Sequence, residues 1–412
     1  MRSLLWPVLF LFVWSPVFGA EPTKLDLERA IRLALERNLE LQAKKEELGI
    51  AEGEVIRANL FLQHNPELEG DILNRRLKKP EEGVKKNLPG GGISLSQEFE
   101  IGGQPRYRRQ AAQRNLERAK FEIKDIERIL RFRVTDIFLR ILNTQAKIKQ
   151  AEQIVDLRSR LYEASRTRLA SGDIPEVQLI IAEFELNGAK SDLIEFQREY
   201  EDLLSRLRIE LALKEGERVG IVGDLRPPRL SLSVDELLRT AVEKRPDLAA
   251  LEREREVREA EVLLTRAERI PNIVIGAFYE KDEKDNIVGM GVSIPIPVFD
   301  RRQAELRQAL SRRSIANINY RNLRQAIEKG VRSAYERFKL SERSFSLYPE
   351  GMVKRFDENL ELNQKAYQEG QISLPEVILF QNQVIDARLQ FLDIMMNYNL
   401  SLAELKFQAA IE

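Results

Sequence analysis

The sequence predicts a mainly α chain of two structural repeats, in which long antiparallel coiled-coil helices alternate with pairs of β-strands, four strands in all. Three observations carry this expectation. The two halves of the chain align with each other in the same order, heptad seams run through segments far longer than an ordinary globular helix, and runs of period-two alternation occupy corresponding places in each half.

The first twenty residues read as an export signal. Arg2 supplies the positive end, Leu4 to Trp14 is apolar, and Val17, Phe18, Gly19 and Ala20 offer small residues for cleavage. The run is shorter than the roughly 18 to 20 residues of a spanning helix, and no later segment comes closer, which excludes an inner-membrane helical protein. Cysteine is absent, which removes disulfides, thiolate metal sites and the anchoring cysteine of a lipoprotein. Lysine plus arginine (66) equal aspartate plus glutamate (66), so no bulk field draws nucleic acid. A charged fraction of 32% beside 43% apolar residues suits long solvated helices, and the richness in Glu, Arg, Lys and Ile fits a heat-adapted source.

Leu27 to Leu41 matches Val234 to Leu248 without a gap. Asn65-Pro66 then recurs as Ile270-Pro271, Gly92 to Leu95 as Gly291 to Ile294, Gly172-Asp173-Ile174 as Gly370-Gln371-Ile372, and Pro175-Glu176-Val177 as Pro375-Glu376-Val377. The repeats therefore span 21–213 and 231–412. Residues 214–230 between them, with Gly216, Gly220, Gly223, Pro227 and Pro228, read as an irregular connector.

Each half predicts two helices, a strand pair, a very long helix, a tight turn and a returning helix. The strand pairs are expected at about 66–99 and 271–297. Pro66 and Pro271 end the helices before them, Ile273, Ile275, Ala277 and Tyr279 alternate with their neighbours, and Ile93, Leu95 and Phe99, then Val288 to Ile296, supply the return strands. Arg75 to Gly91 and Lys281 to Asn286 read as exposed loops crowded with charge and glycine.

The helical hairpins are expected at about 106–213 and 301–410. Leu130, Val134, Ile137, Ile141, Ile148 and Val155 form an outbound seam, and Leu186, Leu193, Tyr200 and Leu207 an inbound one, with Phe196, Leu203 and Leu211 beside it. At about 1.5 Å per residue, Arg106 to Ala170 spans roughly 100 Å, Glu176 to Leu213 roughly 57 Å and Leu39 to Gln63 roughly 37 Å. The two shorter helices stacked end to end equal the long one, which suggests a tube wall of uniform height. Pro349 should interrupt the long helix of the second half.

Four strands cannot close a transmembrane barrel, and lipid tolerates no open sheet edge, so several chains must share one barrel. Helices of this length also cannot bury both faces within one subunit.

These features resemble the TolC-like outer-membrane efflux proteins, and within them the cation-efflux subgroup. The carriers are the duplicated helix ending in Asn38-Leu39-Glu40-Leu41 and Arg245-Pro246-Asp247-Leu248, the strand entry Asn65 to Leu68, Ile101 to Arg106, the strand exit Ile294 to Arg301, and Tyr367 to Ser373. The resemblance implies a homotrimer with a twelve-stranded β-barrel in the outer membrane and an α-helical barrel in the periplasm. It also implies a periplasmic adaptor and an inner-membrane pump of the RND or ABC type as partners. By the same resemblance Gly172, Asp173, Ile174, Pro175, Gly370, Gln371, Ile372 and Ser373 form the periplasmic tips that adaptor hairpins grip. Glu176 and Glu376 match acids that ring the pore entrance. Leu379 stands where a second acid is common in the family, so a double acidic ring is not expected. A single ring favours cations.

Plainer roles stand beside these. Gly172 and Gly370 suit ordinary helix C-caps, and Glu176 and Glu376 suit any helix N-terminal turn. His64, the single histidine, reads as a solvated residue at a helix end and not as a metal ligand. Met395 and Met396 read as seam-filling side chains. Gly90, Gly91 and Gly92 lack the Gly-Lys-Ser/Thr ending of a phosphate loop and read as a flexible hairpin loop. The cluster Arg75, Arg76, Lys78, Lys79, Lys85 and Lys86 reads as a solvated tip or a contact for anionic outer-membrane lipid.

No catalytic constellation and no cofactor motif are present in the sequence. The expected function is the outer-membrane channel of a tripartite efflux system, with heavy-metal cations as cargo. A multidrug or type I secretion channel is the alternative, and a periplasmic coiled-coil adaptor or scaffold the alternative of another class.

Overall fold

The computed structural model describes residues 23–76, 87–217, 219–225, 233–282, 285–348 and 351–411. The expected export signal, Lys78, Lys79, Lys85, Lys86 and Pro349 lie outside the described residues.

The element order is duplicated. The first half runs α1 (Leu27–Arg37), α2 (Leu39–Ala58), β2 (Glu67–Arg76), β3 (Asn87–Phe99), α3 (Gln104–Ala170) and α4 (Glu176–Glu210). The second runs α5 (Val234–Lys244), α6 (Pro246–Ala267), β5 (Ile273–Asp282), β6 (Asp285–Ser293), α7 (Gln303–Ser346), α8 (Met352–Gln368) and α9 (Leu374–Ala409). Two short strands, β1 (Thr23–Leu25) and β4 (Val219–Ile221), pair in parallel and tie the start of the first half to the connector. Their brevity hid them from a reading based on periodicity.

Helix α3 is a single run of 67 residues, about 100 Å long. Its counterpart in the second half is split into α7, which ends at Ser346, and α8, which begins at Met352. Helix α2 ends at Ala58, well before Pro66, and α6 ends at Ala267, before Pro271. The prolines therefore fix the strand entries and not the helix ends. With α2 and α4 at 20 and 35 residues, the stacked pair reaches only about 82 Å, short of α3.

The junction motifs that duplicate most clearly do the same work in both halves. Asn38 caps α2, with Leu41 N–H donating to its Oδ1, and its Nδ2 donates to the Glu210 carbonyl at the end of α4. The aligned Arg245 donates to the Gln408 carbonyl at the end of α9 and is held by Asp247. Each return helix thus has one of its last carbonyls satisfied by the junction between the two short helices, which supplies the C-terminal partner that a helix end requires.

The four long strands form one antiparallel sheet in the order β2-β3-β5-β6. The strands run further than their charge and glycine content suggested. Arg75 and Arg76 pair with Leu88 and Asn87, and Asp282 pairs with Asp285, so the described ends of the expected loops Arg75–Gly91 and Lys281–Asn286 are strand, while 77–86 and 283–284 lie outside the described residues. Gly90, Gly91 and Gly92 are not a flexible loop. They pair on both sides, and a Cβ on Gly91 would stand 2.5 Å from the Asp71 carbonyl. Strand β6 ends at Ser293, ahead of Pro295 and Pro297, where ladder donors run out.

Helix order follows strand order: α2, α6 and α7 pack in the sequence α2-α3-α6-α7, and lower down α3 lies between α4 and α9. One buried cluster gathers Leu130, Val134, Phe138 and Leu207 under α1, a second gathers Val331, Phe338 and Leu405 under α5, and Met395 packs against the first.

Candidate functional site

Three regions could carry function: the two faces of the sheet, the turns between long helices, and a polar clamp above those turns.

The register sorts the sheet residues cleanly. On one face lie Leu68, Ile72, Ile93, Leu95, Phe99, Ile273, Ile275, Ala277, Tyr279, Val288, Met290 and Val292. From Ile273 to Tyr279 this apolar band is about 20 Å tall, near the height of a barrel's lipid-facing belt. Met290 is 80% exposed in the single chain, which water does not reward but lipid does. The other face carries Glu67, Glu69, Asp71, Glu98, Glu280, Asp282 and Asp285 among glycines and serines. By the same register Arg75, paired with Leu88, falls on this face at its far end, the one Lys or Arg there among the described residues. Gly289 leaves the space that Phe278 fills, since a Cβ there would meet the ring at 2.5 Å. Strands β2 and β6 each present an unpaired edge. Because directions alternate across four strands, β6 of one chain meets β2 of the next antiparallel, and copies can close a ring without a parallel join. The acids on alternate positions of Glu67 to Asp71 were the signal that a residue-by-residue reading passed over.

The helix turns are built alike. Gly172 and Gly370 hold φ of 78° and 72°. In the first, Asp173 N–H reaches the Arg168 carbonyl and Gly172 N–H the Leu169 carbonyl, and Gln371 and Gly370 do the same to Ala366 and Tyr367. This is the paired-bond termination for which glycine is favoured. Asp173 and Gln371 are exposed, Ile174 is buried and Ile372 half-buried. The turns then diverge. Pro175 caps α4 without a side-chain bond. Ser373 instead donates its backbone N–H and its hydroxyl to Glu376 Oε2 at 2.8 and 2.7 Å. The backbone bond foremost, then the hydroxyl, holds the Glu376 carboxyl below its ordinary value. Glu376 is therefore tied to the start of α9, although it is exposed as Glu176 is. Val177 is 56% exposed and its counterpart Val377 is fully buried.

Above the turns, Tyr367 is buried with Leu161, Ala182, Leu374 and Val377. Its hydroxyl bonds Ser165 Oγ at 2.9 Å, and Arg168 lies over its ring. Higher still, the buried Arg158 of α3 donates to Gln381 Oε1 at 2.7 Å and to Asn382 of α9, and approaches Glu185 of α4 at 3.2 Å. Gln381 donates onward to Gln364 of α8. Burial lowers the Arg158 pKa against the opposing pull of Glu185. One side chain thus links all four lower helices, a role that the sequence reading did not find.

His64 is solvated as expected, its side chain 52% exposed, but it lies in the segment between α2 and β2 and not at a helix end. Its Nδ1 stands 3.6 Å from Glu98 at the foot of the acidic face. Among the described residues no group of three or more His, Asp or Glu side chains is arranged to hold a metal ion, and no helix is long and apolar enough to cross a membrane.

The sequence profile of the outer membrane efflux protein family matches residues 30–211 and again 237–409. The chain is 26% identical over 383 residues to the cobalt-zinc-cadmium resistance protein CzcC of Cupriavidus metallidurans, covering 92% of this chain and 89% of that one. Its fold superposes on a crystal structure of CusC with a TM-score of 0.76 at 19% identity, covering 100% of this chain and 99% of that one. The outer membrane protein VceC of Vibrio cholerae superposes with a TM-score of 0.75 at 15% identity, over 93% and 95% of the two chains.

Proposed function

Since the chain belongs to the outer membrane efflux protein family, we propose that three copies form the exit duct of a tripartite cation-efflux system, fed by a periplasmic adaptor and an inner-membrane pump. The observation that carries the cation reading is the acidic face of the sheet, with seven carboxylates against the single Arg75 among the described residues, opposite an apolar band. In a closed barrel the apolar band meets lipid and the carboxylates line the lumen. They raise the local cation concentration and oppose anions. The name of the Cupriavidus relative, a cobalt-zinc-cadmium resistance protein, supports the same cargo class.

The tips at Gly172–Pro175 and Gly370–Ser373 are the adaptor contacts in this reading. Glu176 and Glu376, both exposed, rim the tunnel mouth, Glu376 also being bonded to Ser373. The test is the reversal potential of the purified trimer in a planar bilayer under a potassium chloride gradient. A potential of the sign set by potassium is expected, and a chloride-signed potential would overturn the proposal. A deletion strain should lose resistance to heavy metals, and loss confined to lipophilic dyes and antibiotics would overturn the cargo assignment.

A further inference from the structure

Where the four strands hand over to the helices, a cavity of about 630 Å³ opens between His64, Glu98, Gln104, Asn272 and the segment Pro295–Arg302. Glu98 lies on the acidic face, so in a closed barrel this cavity is at the lumenal foot of the wall. His64 is the chain's single imidazole, and there is no thiol. A borderline divalent metal ion has no other nitrogen or thiolate ligand to find here.

The pair has the spacing of a metal bite. His64 Nδ1 and Glu98 Oε2 are 3.6 Å apart, too far for a hydrogen bond, whereas two ligands each about 2.05 Å from a tetrahedral ion sit about 3.4 Å from one another. The Glu98 carboxylate is oriented from behind, and the His64 main chain is held in place. Asn272 Nδ2 donates to the other Glu98 oxygen at 2.6 Å, Gln104 Nε2 donates to Asn272 Oδ1 at 3.1 Å, and Gln97 Nε2 donates to the His64 carbonyl at 2.9 Å. Outer partners of this kind fix the direction of metal ligands. In the same wall Gln104 is 2% exposed and its Oε1 has no partner, a buried acceptor left uncompensated. The remaining acids are engaged: Glu100 with Arg108, Glu268 with Arg302, and Asp300 with the Arg302 N–H. Arg269 and Arg301 also line the cavity and moderate its pull on a cation.

We infer that His64 and Glu98 form a two-ligand stepping site for a borderline divalent cation in transit, with the Gln104 amide oxygen as third donor. The inference rests on the cation-duct reading. Two or three protein donors leave most of the coordination sphere to water, so the ion exchanges, whereas a closed four-ligand site would trap the cargo it should pass.

The test is block of the sodium current through the purified trimer by micromolar to millimolar zinc chloride, with magnesium chloride as control. Zinc should reduce the current reversibly and magnesium should not at equal concentration. His64→Gln and, separately, Asn272→Ala should raise the half-blocking zinc concentration at least about tenfold while leaving the sodium conductance unchanged. The unchanged conductance doubles as the check that each variant has assembled. Equal zinc block in wild type and His64→Gln, or no zinc block in the wild type, overturns the site. Neither result touches the duct reading, which stands or falls on the potassium chloride reversal potential.

Discussion

Replacing Arg158 by Met should loosen the lower tunnel without unfolding the sheet. The substitution keeps much of the side-chain volume and removes the guanidinium, so the loss is mainly electrostatic and polar. It leaves Gln381 Oε1, in a residue with no solvent exposure, without its donor, at about 1 to 3 kcal/mol for a buried unsatisfied acceptor. Glu185 loses a partner at 3.2 Å, but its side chain is 29% exposed and rehydrates, so the cost is well below the roughly 3 to 5 kcal/mol of breaking a fully buried pair. A local destabilisation of about 2 to 4 kcal/mol follows. The assay is amide hydrogen exchange on the detergent-solubilised trimer. Because α3, α4, α8 and α9 meet at this residue, peptides covering 158–186 and 364–382 should exchange roughly thirtyfold to several hundredfold faster. Peptides covering 67–76 and 273–282 should be unchanged. Uniform acceleration along the chain, or no acceleration near 381, would refute the claim that Arg158 holds these helices together. Pairing the change with Glu185→Gln isolates their coupling, expected at about 0.5 to 3 kcal/mol.

Three further outcomes follow from the geometry. Ala277→Lys, on the apolar face, should cost about 2 to 4 kcal/mol near mid-membrane and cut the yield of assembled trimer, whereas Ser94→Lys on the acidic face should assemble normally and lower cation preference in bilayer recordings. Gly370→Ala forces a side chain into φ of 72° and should cost about 1 to 2 kcal/mol, read as faster exchange of the 366–376 amides at the turn. Because the folded-state pKa of Glu376 is depressed, its contribution is present above the ordinary carboxylate value of 4.5 and is lost as pH falls through the lower folded value. Exchange at the start of α9 should therefore accelerate in that acid window, and Glu376→Gln should abolish the pH dependence while keeping an acceptor for Ser373.

What the sequence made legible was whatever repeats or has a period. The duplicated junctions, the 67-residue helix and the glycine turns all have local causes that can be read along the chain. What it concealed depends on register. Gly90 to Gly92 look like a loop until their two flanking strands are known, and the acidic face emerges only when four alternations are brought into phase. Arg158 and His64 were opaque for the same reason: their partners lie 27 to 224 positions further along the chain, or 34 in the case of Glu98, and no local pattern announces them. Among the site residues, the glycines at the tips were legible as caps, but the difference between Glu176 and Glu376 needed the Ser373 bonds.

The divergence between the two repeats has a structural consequence of its own. Two identical repeats in each of three chains would give six equivalent tips around the tunnel, and a partner hairpin could not tell them apart. Here alternate tips differ in backbone support and in surface: Glu376, exposed like Glu176, is bonded to Ser373, and Val377 is buried where Val177 presents more than half its surface. Alternate long helices differ too, since α3 is unbroken and its counterpart is divided between α7 and α8. An unbroken helix resists bending along its full length, whereas a break concentrates bending at one level. The Arg158 clamp bonds the unbroken α3 to α9, the return helix of the divided hairpin, and so ties the two unlike repeats together just above their turns.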